Sequence, residues 1–118
     1  MAGLQWARLQ VNVNCQLRRG AWYRVIRLAP REVVLEVDRK PLPVPRPLLQ
    51  LTSTRPRRWT VVPRPHNAVG LPPSWNDYAV CPSCGDRAPL ERRPTSMRCL
   101  RCNGLFEIAW DEPYLATV

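Results

Sequence analysis

Four of the five cysteines stand in two tight pairs, Cys81-Pro82-Ser83-Cys84 and Cys99-Leu100-Arg101-Cys102, with fourteen residues between the pairs. Two intervening residues let both thiols of a pair reach one ion, and the backbone must then turn sharply behind the second thiol. Gly85 and Gly104, with Asn103 as the alternative to the latter, stand where such a turn needs a positive φ. In a reducing compartment this spacing favours a metal over disulfides. Four thiolates fill the shell of one structural Zn²⁺ and leave no open position for water, which catalysis at zinc requires. Iron held by the same four thiolates is the redox alternative. Cys15, the odd one, reads as a small buried hydrophobe. The single histidine, His66, lies in a proline-rich stretch and is a poor candidate for its base.

Fourteen prolines in 118 residues argue against long helices, because proline is tolerated at strand edges, turns and helix starts. The stretch from Pro63 to Trp75 holds four prolines and a glycine and can propagate neither a helix nor a central strand. It divides the chain into a module over residues 1–63, a linker over 64–77 and a second module over 78–118. In the first, Ala21 to Leu28 and Glu32 to Asp38 read as a β-hairpin, the latter with Val33, Leu35 and Val37 on one face at period two. Leu9 to Val13, Leu48 to Leu51 and Arg57 to Val62 are further strand candidates, and Lys40 to Pro47 reads as an extended, polyproline-like edge. Four or five short strands must close or be covered to hide their edges, so a mainly β fold with a small N-terminal barrel is expected.

Residues 5 to 63 in this arrangement resemble SH3-like small β-barrels. From Tyr78 to Asp111 the chain resembles the zinc ribbon family, on Cys81, Cys84, Cys99 and Cys102, the glycines behind the pairs, and a final strand with Phe106, Ile108 and Trp110 on one face. That resemblance implies a β-hairpin module stapled by one zinc, of a kind used in transcription, translation, replication and adaptor proteins. It does not choose among those roles.

Charge separates the halves. Residues 1–77 hold 13 basic and 4 acidic side chains, whereas residues 78–118 hold 5 of each, and 17 of the 18 basic residues are arginine. Arginine's planar fork suits phosphate. Arg18, Arg19, Arg24, Arg27, Arg55, Arg57, Arg58 and Arg64 are the candidate contacts to a nucleic-acid backbone, with Trp59 a candidate ring for base stacking. Trp110, Tyr114 and Leu115 either close the second module's core or anchor a protein partner. No nucleophile elbow, phosphate-cradling glycine loop or HExxH motif is present, so no enzyme activity and no small-molecule substrate are expected. No apolar run reaches the length of about 20 residues that spans a bilayer, and a cytoplasmic protein without membrane insertion is expected. The resulting expectation is an accessory factor of a nucleoprotein machine, its barrel on RNA or DNA phosphates and its ribbon on protein. A structural or adaptor subunit of a larger protein assembly without nucleic acid is the alternative.

Overall fold

The computed structural model describes residues 5–13, 15–64 and 70–115. Its described residues form ten short strands, a single 3₁₀ turn at Arg46–Leu48 and no helix long and apolar enough to cross a membrane. The fold is mainly β, as the proline content implies. The strands make two five-stranded sheets.

The first sheet is a half-barrel built from β1 (Trp6–Leu9), β2 (Tyr23–Leu28), β3 (Glu32–Val37), β4 (Lys40–Pro45) and β5 (Leu49–Thr52), in the order β4-β3-β2-β1-β5. Its inner face buries Ala7, Leu9, Val33, Leu35, Val44 and Leu49. β1 lies earlier than the expected Leu9 to Val13, because Ala7 and Leu9 alternate with Trp6 and Arg8 and so supply the inward face. The expected proline-rich edge is a true edge strand. In β4, Leu42 and Val44 turn inward while Pro41, Pro43 and Pro45 alternate with them, so the missing N–H groups fall on the side away from β3. β3 and β4 meet through Asp38 and Arg39, both at positive φ (51° and 65°), the backbone of a two-residue hairpin turn whose twist matches the strands.

The second sheet contains β6 (Arg58–Val62), β7 (Tyr78–Val80), β8 (Arg87–Pro89), β9 (Ser96–Arg98) and β10 (Leu105–Ile108), in the order β8-β7-β6-β10-β9. Here the strand allocation differs from the sequence expectation. Sequence order puts this segment with the module over residues 1–63, yet β6 pairs with β7 on one side and, in parallel, with β10 on the other. The reason lies in its composition. Trp59 and Val61 alternate with Thr60 and Val62, so both faces require cover, which a central strand of a sandwiched sheet receives.

One face of this sheet gives Trp59, Ala79 and Cys81 to a core completed by Cys99 and Ile108. The other gives Val62, Tyr78 and Val80 to a cluster shared with Ala21 and Tyr114, against which Leu71 and Trp75 of the connecting segment pack. Gly20, in the loop between β1 and β2, lies close against Val62 and Val80 of the second sheet. Its φ is 83°, and a Cβ there would meet Val62 Cγ2 at 2.7 Å.

Candidate metal centre and cationic surface

Each cysteine pair sits in the loop of a hairpin, Cys81 and Cys84 between β7 and β8, Cys99 and Cys102 between β9 and β10. The two loops repeat one hydrogen-bond pattern. Gly85 N–H donates to the Cys81 carbonyl (3.1 Å) and Cys81 N–H to that of Asp86 (2.8 Å); Asn103 N–H donates to Cys99 (2.9 Å) and Cys99 N–H to Gly104 (2.8 Å). Gly85 and Asn103 supply the positive φ, at 76° and 64°. Gly104 is required for a different reason, since a Cβ there would strike the Phe106 ring at 2.5 Å.

The four sulfurs lie within 4.8 Å of one another. Across the two loops, Cys81 Sγ is 3.7 Å from Cys102 Sγ and Cys84 Sγ is 3.5 Å from Cys99 Sγ. A regular tetrahedron with Zn–S bonds of about 2.3 Å has sulfur separations of about 3.8 Å. The donor set therefore fits one structural zinc. Cys81 and Cys99 are buried, and two of the five buried members of this core are thus metal ligands. Burial pushes the Cys81 thiol up to about 12 and raises that of Cys84. Cys102 is exposed, and the backbone N–H of Gly104 favours its thiolate and lowers it to about 7. The metal must displace protons from the buried thiols to bind. Cys15 stands apart and is exposed, contrary to the buried position expected for it. His66 lies outside the described residues.

The structure divides the eight candidate arginines. Arg18 donates to the Gly85 carbonyl at 2.7 Å, tying the first sheet's leading loop to the first cysteine turn. Arg19 is only 9 % exposed and its Nε donates to Asn12 Oδ1. Arg64 donates to the carbonyls of Pro72 and Trp75 and so clamps the connecting segment. Arg58 pairs with Asp111 at 2.6 Å, and Arg27 lies 3.7 Å from Glu32 with both side chains exposed. Arg24, Arg55 and Arg57 are exposed. Arg55, Arg57 and Arg58 border two clefts. One, of about 670 Å³, also has Ser83, Leu105, Phe106 and Glu107 on its walls. The other, of about 430 Å³, opens between the two sheets.

Two aromatic expectations are corrected. Trp59 is 1 % exposed and donates its indole N–H to the Met97 carbonyl, so it fills the core and offers no stacking surface. Strand alternation explains this, because Trp59 points away from the face that carries Arg58. Tyr114 is likewise no interface anchor. Its hydroxyl donates to the Leu9 carbonyl (2.6 Å) and accepts from Gly20 N–H (2.9 Å), which closes the inter-sheet cluster. Leu115 packs against that cluster, and Trp110 lies against the zinc-side core with its indole N–H on the Pro94 carbonyl.

Sequence reasoning missed Arg8. It is 2 % exposed at the meeting of the sheets. Nε donates to Gln50 Oε1 and Nη1 to Thr60 Oγ1, both at 2.9 Å, while Nη2 pairs with Glu112 at 2.9 Å. Its guanidinium also lies 4.4 Å from the Trp22 ring centroid and 4.3 Å from that of Tyr114. The available signal was an arginine within a strand whose neighbours Ala7 and Leu9 face the opposite way.

The fold and site define a β protein of two packed sheets with a four-cysteine site for one structural zinc. No family model, curated protein or solved structure matches the chain.

Proposed function

We propose that the protein is a non-enzymatic accessory factor of a nucleoprotein machine, which holds nucleic-acid phosphates through the Arg55-Pro56-Arg57 segment and docks on protein through the zinc-bearing sheet. The observation that carries this reading is the contrast among the arginines. Four of the eight candidates spend their donors on internal carbonyls, an amide or a carboxylate within hydrogen-bond distance, whereas Arg55 and Arg57 stand exposed on the rim of two clefts. The second sheet, with a cysteine pair in each of two hairpin loops, supports its assignment as a zinc ribbon, and the half-barrel is the counterpart of the SH3-like module. Leu100 and Leu105, 99 % and 59 % exposed, are the apolar contacts such a ribbon would offer a protein partner.

The test is binding to RNA and DNA as a function of salt. Each neutralised phosphate releases counterion, with a slope of about 0.9 per duplex contact, so Arg55→Gln with Arg57→Gln should lower the slope by about two. Tight association with a protein complex and salt-insensitive or absent nucleic-acid binding would instead assign the protein to an assembly without nucleic acid.

A further inference from the structure

We propose that the cleft between the two sheets binds an unpaired nucleic-acid strand, with Trp22 as the stacking surface and Arg55 and Arg57 on the phosphates. The inference rests on the nucleic-acid reading above and specifies its ligand class and site. The floor of the cleft is the outer face of the first sheet. Arg8 and Gln50 are direct cross-strand partners there, and Trp22 borders them across β1. Thr54, Arg55, Pro56, Arg57 and Arg58 form the rim, with Ala109 and Glu112 opposite. Four arginines thus face one glutamate among the lining residues. Glu112 is already engaged by Arg8, and Arg58 by Asp111, so the charge of Arg55 and Arg57 remains uncompensated within the cleft.

The floor combines a ring with fixed polar groups. Trp22 is half-buried, and Arg8 stacks on it while being held in turn by Gln50, Thr60 and Glu112, so the indole is orientated before any ligand arrives. Gln50 gives its Oε1 to Arg8 and retains amide N–H donors. The next row on the same face places Trp6 opposite Arg24 on one side and Thr52 on the other, which extends the surface with a second half-buried indole and a further exposed arginine.

Two features favour a single strand over a duplex. Duplex readers insert a convex helix or ribbon into a groove, whereas here the cationic side chains rim a concavity. An aromatic floor beside cations serves bases that are free of their own stack. An acidic peptide would satisfy Arg55 and Arg57 but give the pre-set indole no counterpart.

The experiment uses the full zinc-loaded chain and fluorescence anisotropy with a labelled mixed-sequence 12-nucleotide strand, the same strand as a duplex, and a polyglutamate peptide. The single strand should bind more tightly than the other two. Trp22→Leu should weaken it by about tenfold, as loss of one stacked base implies, and Trp22→Phe should restore most of that loss. Thr52→Glu, on the floor but outside the Arg8 stack, should weaken it comparably with zinc content and circular dichroism unchanged, and it decides the matter if Trp22→Leu does not fold. Equal affinity for duplex and single strand, or full single-strand affinity in the folded Trp22→Leu or Thr52→Glu variant, overturns the cleft proposal while the phosphate reading stands. Tighter binding of polyglutamate reassigns the cleft to an acidic peptide. Absence of salt-sensitive binding to either nucleic acid overturns both.

Discussion

Replacing Arg8 by Met keeps an unbranched stem between Trp22 and Tyr114 and deletes every hydrogen bond that the guanidinium makes across the two sheets. Thr60 Oγ1, fully buried, loses its donor, and the Glu112 carboxylate loses its cation. Breaking a buried ion pair from one side costs about 3–5 kcal/mol, and a buried unsatisfied hydroxyl about 1–3 kcal/mol. Glu112 is 32 % exposed, so water recovers part of the first amount. A net loss of about 3 kcal/mol follows once that hydration is allowed for. For a chain of this size each kcal/mol lowers Tm by about 3–5 °C, so the variant should melt about 10 °C earlier. Arg58→Gln is the control. It breaks a pair whose side chains are 43 % and 77 % exposed, and solvent and salt screen such a pair so that it adds little to stability. Thermal melts of zinc-saturated protein followed by circular dichroism compare the two. If Arg8→Met and Arg58→Gln melt within a degree or two of each other, Arg8 does not clamp the sheets.

Gly20→Ala should destabilise the fold by about 1–3 kcal/mol, because the added methyl meets Val62 at 2.7 Å on a backbone at positive φ; denaturant midpoints measure it. Elemental analysis should find about one zinc per chain, lost on Cys→Ser substitution at position 81, 84, 99 or 102 and kept in Cys15→Ser. Zinc uptake should release more protons at pH 6 than at pH 8. Cys102, lowered to about 7, holds its proton at the lower pH and has lost it at the higher, whereas Cys81, raised to about 12, holds its own at both; calorimetry in buffers of different ionisation enthalpy reads the difference, and equal release at both would refute the assignment.

The metal site was legible because it is local. Two residues between thiols and a turn-forming residue behind them suffice to aim each pair, and the hairpins then bring the pairs together. The β2 and β3 hairpin was equally legible from β-branched residues and alternation. The turn at Asp38 and Arg39 was not, because it carries two positive-φ residues without a glycine. The allocation of β6 was also hidden. Its neighbours in sequence belong to the first sheet, and only the demand for cover on both faces separates it from them. Proximity in sequence misled at Trp59, where the ring next to Arg58 points to the opposite side of the strand. For Arg8 the alternation of its strand set only the face it occupies, and nothing local named its partners. Gln50, Thr60 and Glu112 lie 42, 52 and 104 residues away, and their convergence depends on both sheets being in place.

The position of β6 makes the zinc site and the cationic rim parts of one mechanical unit. Trp59 and Val61 rest on the core that contains Cys81 and Cys99, while Thr60 accepts from Arg8 on the other face and Arg58 leads directly back to Arg57 and Arg55. The Arg18 bond to the Gly85 carbonyl is a second tie between the first cysteine turn and the first sheet. A core this small depends on its metal, since structural zinc supplies on the order of 10 kcal/mol of coupled folding energy. Chelation should therefore loosen β6, release Arg8 from Thr60 and displace the rim arginines. Polyanion affinity should fall in step with zinc content during titration with a chelator and return on re-addition of zinc. Apoprotein that keeps its full salt-dependent affinity would show that the arginines hold their places without the metal, and the coupling through β6 would be wrong.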